Sequence, residues 1–227
     1  SGYDLSLLLR SGPGDGGAVL VPGMAAAFRE AGADSKLRRY LALALGRSGD
    51  GRAAPVLREG LKDRDGETRL FCAWGLMQIA GREALPDLRA AAADSDAGVR
   101  TMAVFALGQM GDREGVGVLR AALGDAATGV RWNAALSLAR LGDASGEPVL
   151  IEILETGEPG TPRATGAGGP GDASAVLNAI RALALLKDDA ARAALKRASE
   201  SGRSEEIRRT ARLALEAIAA EARSPLP

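Results

Sequence analysis

The sequence predicts an all-α protein built from stacked two-helix repeats. Three observations carry that prediction. Ala and Leu dominate an apolar set that makes up 46% of the 227 residues, while aromatics are only 3%. That composition suits close helix packing and is poor material for a β-sandwich. Arg38, Arg69, Arg100 and Arg131 recur every 31 residues, and three further columns keep the same register: Pro55, Pro86, Gly117 and Pro148; Gly49, Ala80, Gly111 and Gly142; Asp63, Asp94, Asp125 and Thr156. Each period divides into two helical patterns joined by short turns, an αα-hairpin that cannot bury both faces alone and therefore stacks on its neighbours.

In chain order, DLSLLLRSG reads as the close of an earlier helix, and AVLVPGMAAAFREAGAD as the first helix of the unit containing Arg38. The next units open with segments such as APVLREGLKD and EPVLIEILET, where Asp50, Asp112 and Asp143 stand at N-cap positions and Pro falls early, where a helix tolerates it. Segments such as VRTMAVFALGQMG and VRWNAALSLARLG form second helices of three to four turns, stopped by a Gly in a left-handed cap. The fifth unit carries the insertion TGEPGTPRATGAGGPGD, residues 156–172, which reads as a mobile loop. The last unit, ending EEIRRTARLALEAIAAEAR, bears charges where earlier units are apolar, as a terminal cap requires. We expect one repeat domain over 1–227, with units at roughly 5–49, 50–80, 81–111, 112–142, 143–188 and 189–223. The opening SGYDL lacks a Met and reads as a piece taken from a longer protein, so a missing signal peptide carries no information.

The pattern VRxxAAxALGxxGD followed by APxLxxxLxD resembles the HEAT-like repeats of the phycobilisome-lyase type over nearly the whole chain. The resemblance implies an α-α superhelix, a HEAT-like α-solenoid of about six two-helix repeats, whose second helices line a concave surface. It is specific for fold and nearly silent on function.

With 29 basic and 29 acidic residues the formal net charge is +0, so the chain lacks the basic field that concentrates a protein on phosphate backbones, and nucleic acid is disfavoured as partner. The longest uncharged apolar run, Gly16 to Phe28, is shorter than the ~20 residues that span a bilayer. The chain has no His and a single Cys72. No imidazole base and no Cys-based metal site can be assembled, and Cys72 lies in an apolar helical pattern that marks it as buried. GAGGPGD lacks both the preceding strand and the following Lys of a phosphate loop. We expect no catalytic residue, no cofactor and no metal. The Arg column repeats without variation beside Asp-containing turns, so we read it as scaffold.

Advancing about 100° per residue from Val130 places Val130, Ala134, Leu138 and Leu141 in one core-facing sector and Trp132, Asn133, Leu136 and Arg140 opposite it. The same outward positions hold Arg39, Tyr40, Leu43 and Arg47 in the first unit, then Leu70, Phe71, Trp74 and Gln78, then Thr101, Met102, Phe105 and Gln109. In the fifth unit they hold Leu177, Asn178, Arg181 and Leu185. Five of the chain's seven aromatics fall in these sets, where uniform scatter would place fewer than one. The expectation is a non-catalytic protein–protein interaction scaffold whose groove, bordered by Arg39, Arg47 and Arg140, binds a peptide or helix of another protein. Two alternatives stand beside it. One is an enzyme on related repeats, a phycobilin lyase or an alkylpurine glycosylase; the resemblance to lyases stops at the fold-building motif, and the outward positions lack the Asp that glycosylases use. The other is a structural spacer whose groove is filled within a longer chain.

Overall fold

The computed structural model describes residues 17–156 and 173–223. The DLSLLLRSG segment, the insertion after Thr156 and the last four residues lie outside the described residues. Among the described residues there are twelve α-helices and no strand, so the chain is all-α, of the α-α superhelix class. It divides into two compact units, Ser1–Met110 and Gly111–Pro227.

The described residues of the first unit form three helix pairs: α1 (Gly17–Glu30) with α2 (Ser35–Arg47), α3 (Ala54–Gly60) with α4 (Gly66–Ile79), and α5 (Leu85–Ala91) with α6 (Ala97–Gln109). Asp34, Asp65 and Asp96 cap α2, α4 and α6, each carboxylate accepting from a backbone N–H of the first turn. These caps also recur every 31 residues, although the sequence pattern drew attention instead to the aspartates before the first helices. Asp50 does act as a cap there, on a 3-10 turn, Gly51–Ala53, that runs into α3. Pro55 and Pro86 sit in the first turns of α3 and α5, where the missing N–H has no intrahelical partner to lose.

Two Leu columns fill the core. Leu45, Leu76 and Leu107 on the second helices and Leu57 and Leu88 on the first are fully buried, each contributing ~1.5–3 kcal/mol of hydrophobic stabilisation. Gly46 and Gly75 let α2 and α4 approach at close range: a Cβ on Gly46 would stand 2.6 Å from the Gly75 Cα and 2.8 Å from the Trp74 ring.

The second unit contains α7 (Val116–Ala122) with α8 (Thr128–Arg140), α9 (Glu147–Thr156) with α10 (Ala173–Leu186), and α11 (Asp189–Ser201) with α12 (Glu205–Arg223). Leu119, Leu138 and Leu150 continue the two Leu columns here and are fully buried. Asp143 caps a 3-10 turn, Ala144–Gly146, before α9. Among the residues of α12 whose burial is described, Ile207, Ala211 and Ile218 are buried and the charged ones are exposed or half-buried.

Helix ends follow the predicted glycine column with two changes. Gly49, Gly111 and Gly142 take left-handed φ of +69°, +68° and +76°. In the second repeat Ala80 stays right-handed and Gly81 turns at +52°, because the left-handed region penalises a Cβ. In the fifth repeat Lys187 occupies that slot at +59°.

Candidate protein-binding face

The Arg column is scaffold. Each of Arg69, Arg100 and Arg131 donates its Nη1 to the carbonyls five and six residues earlier, for example Arg69 to Asp63 O at 2.8 Å and Arg131 to Asp125 O at 2.9 Å. Arg38 and Arg69 also reach the next turn's carboxylate, Arg38 to Asp63 at 2.6 Å and Arg69 to Asp94 at 2.7 Å. Arg38 and Arg69 therefore tie turns of neighbouring repeats together, while Arg100 and Arg131 brace the turn that precedes their own helix.

The outward positions separate into three groups. Tyr40 is 52% exposed, Arg47, Gln78, Gln109 and Arg140 are exposed, and Leu43, Phe71, Trp74, Phe105, Asn133 and Leu136 are half-buried. Leu70, Met102 and Trp132 are buried, at 6%, 6% and 4% exposure, which corrects the expectation that the whole set stands free. A helical wheel treats each helix alone, whereas α4 packs on both α2 and α6 and this stacking covers flanking positions. Trp132 belongs to the core cluster of the second unit with Leu150, Ile153 and Ile180. Asn133 donates its side-chain amide back to Gly129 O at 2.8 Å. Neither residue of that pair is available as a site of its own.

The expected Arg border also changes. Arg39 is answered within the chain: its Nε donates to Asp65 at 2.7 Å and its guanidinium pairs with Glu67. The Arg39 hydrogen bond, against burial and with help from Thr68, holds the Asp65 carboxyl well below the usual carboxylate range. Arg47, Gln78, Gln109 and Arg140, by contrast, make no side-chain hydrogen bond or ion pair among the described residues. In the first unit, then, Tyr40, Phe71, Trp74 and Phe105 form a partly open aromatic strip on α2, α4 and α6. Arg47, Gln78 and Gln109 lie beside it with unused donors.

Other reactive groups are occupied. Cys72 is fully buried against Gly60 and Phe28, and burial, with the Asp63 charge adding to it, pushes its thiol up to about 12. In the second unit burial, reinforced by the Asp188 carboxylate, pushes the Glu147 carboxyl up. Among the described residues no three His, Cys, Asp or Glu gather as a metal would require. The second unit holds a cleft of about 240 Å³ floored by Leu154, Val176, Ala198 and Ile207. Its rim arginines are already engaged, Arg197 with the Glu155 side chain and Arg203 with the Glu155 carbonyl, both at 3.1 Å. The sequence carried no sign of this cleft, because it forms only where side chains of four successive helices, α9 to α12, converge.

A family model for HEAT repeats matches residues 21–103 and 90–167. Among solved structures, an engineered protein is 22% identical with a TM-score of 0.56, the match covering 87% of this chain and 97% of that one. A designed armadillo repeat protein is 19% identical at a TM-score of 0.55, covering 87% and 99%. The complex of CpcE and CpcF of phycocyanin lyase from Nostoc sp. PCC7120 is 18% identical at 0.53, covering 94% and 85%. At these identities the likeness is one of fold. No curated protein sequence matches the chain. No described helix is long and apolar enough to cross a membrane.

Proposed function

The chain belongs to the HEAT-repeat family, and from that premise we propose that it is a non-catalytic protein-binding module whose first-unit face holds a peptide or helix of a partner protein. One observation carries the reading. The strip formed by Tyr40, Phe71, Trp74 and Phe105 is partly open to solvent, and beside it Arg47, Gln78 and Gln109 have donors with no partner among the described residues. Apolar surface left open costs free energy unless something covers it, and aromatic and Arg side chains dominate binding energy at protein interfaces. The reactive groups support a binding role over a catalytic one: the one thiol is buried and held protonated, and the repeated arginines bond to turns. In the second unit Leu136 and Arg140 keep the character proposed for the groove, while Trp132 serves the core.

The test uses the exposed members, since Trp74 packs against Gly46 and its loss would perturb the fold. A variant combining Tyr40→Ala, Arg47→Ala, Gln78→Ala and Gln109→Ala is compared with the native chain in affinity capture from native lysate. The reading predicts a partner held by the native chain and lost by the variant at unchanged melting temperature. Partners retained by the variant would remove the face from the account.

A further inference from the structure

The partner-binding reading leaves the partner's backbone geometry open, and the first unit narrows it. Arg47, Gln78 and Gln109 stand in one register, 31 residues apart, on α2, α4 and α6. Each lies one helical turn beyond Leu43, Trp74 or Phe105, so every repeat offers one apolar side chain with one unpaired donor next to it. Packed helices are spaced ~8–10 Å apart. A ligand that meets all three donors must therefore present an acceptor on the same side about every 8–10 Å.

Three backbone conformations can be compared on that spacing. An α-helix has already committed its carbonyls to internal bonds. A β-strand advances ~10 Å in three residues, but residues three apart point to opposite faces. Polyproline II has three residues per turn and a rise of ~3.1 Å, so the same face returns every ~9.3 Å with its carbonyls unbonded. Proline adds a second match: it offers a carbonyl acceptor and no N–H. The three side chains can each donate through Arg guanidinium or Gln amide groups, so no ligand donor is left unpaired.

Charge fixes one more feature. Arg39 on the same helix is answered by Asp65 and Glu67, whereas Arg47 has no described partner. We propose that the first-unit face binds a proline-rich segment of another protein in the polyproline II conformation, with a single acidic residue set against Arg47. Pro rings cover the Leu43, Trp74 and Phe105 column, and carbonyls accept from Gln78 and Gln109.

The test is fluorescence anisotropy of the whole chain with a fluorescein-labelled peptide of one Glu followed by nine Pro. The comparison probes are an all-Pro peptide and an Ala-rich helical peptide of equal length and charge. Saturable binding of the Glu–Pro peptide is expected. It should weaken about thirtyfold in a Gln78→Ala, Gln109→Ala double variant, the loss of two ordinary hydrogen bonds. Arg47→Ala should weaken the Glu–Pro peptide about tenfold and the all-Pro peptide by a smaller factor, since that peptide offers Arg47 only a neutral carbonyl. These side chains are exposed, so melting curves should overlay that of the native chain. Absence of Glu–Pro binding, or binding indifferent to all three substitutions, overturns the proposal. Binding of the helical peptide in its place, lost in the same variants, overturns the polyproline assignment while leaving the partner-binding face intact. Native-partner capture indifferent to those variants removes the face itself.

Discussion

Gly46→Ala should destabilise the protein, although alanine is the better helix former. A Cβ at this position would lie 2.6 Å from the Gly75 Cα and 2.8 Å from Trp74 Cζ3. That is about 1 Å inside the ~3.5–4.0 Å carbon–carbon optimum. The first of these atoms is backbone on a packed helix, so the strain cannot be relieved by a rotamer change alone. Overpacking costs ~1–3 kcal/mol, and two such contacts place this site near the top of that range. The helix-propensity gain of Ala over Gly returns ~1 kcal/mol, leaving a net loss of about 2 kcal/mol. For a chain of this size that is a fall of roughly 4–8 °C in melting temperature, read by far-UV circular dichroism. Gly23→Ala is the matched control: Gly23 is exposed on α1, and a Cβ there would meet nothing within 4 Å. It should gain ~0.5–1 kcal/mol from propensity alone. A Gly46→Ala protein that melts at or above the native temperature would refute the close α2–α4 approach.

Ala127 precedes α8 with φ −83° and ψ 121°, matching the Asp65 cap at −85° and 119°, yet it has no side-chain cap bond. Ala127→Asp should therefore raise stability by ~1 kcal/mol in urea titration. Lys187→Gly should relieve the left-handed backbone at φ +59° and gain ~0.5–1 kcal/mol after loss of the exposed Glu221 pair. The Asp65 carboxyl is depressed in the fold by Arg39. Its stabilisation is thus complete above the unfolded value of ~3.9 and is lost as pH falls below it. Asp65→Ala should cost ~1–2 kcal/mol at neutral pH and flatten the acid limb of the stability curve. Glu147 has the opposite sign: its carboxyl is raised by burial, so ionisation works against the fold as pH climbs past the unfolded value of ~4.3. Glu147→Gln should be the more stable protein at neutral pH, and the difference should vanish in acid.

The repeat architecture was legible because stacking imposes one register on every unit. Arg, Pro and Gly columns at a spacing of 31 revealed it, and the buried Leu columns at 45, 76, 107, 138 and 57, 88, 119, 150 obey it as well. What a single-helix projection could not convey was what neighbouring helices do to the outward side. Met102 and Tyr40 are both outward on the wheel, yet one is buried and the other open. Their difference comes from the helices stacked beside them. Arg39 and Arg47 lie eight residues apart on one helix, and only the fold brings Asp65 and Glu67 to the first of them. Trp132 and Asn133 were conspicuous in an Ala-rich run for a reason unrelated to recognition: the ring fills the second unit's core, and the amide bonds to its own helix.

The most direct measurement places a photo-crosslinking amino acid at Gln78 or Gln109 on the second helices, and at Ala90 on the exposed side of α5 as the comparison, in the whole chain incubated with native extract. The account predicts that Gln78 and Gln109 capture the same partner polypeptide and that Ala90 does not. Equal capture from all three positions, or capture from Ala90 alone, would contradict it.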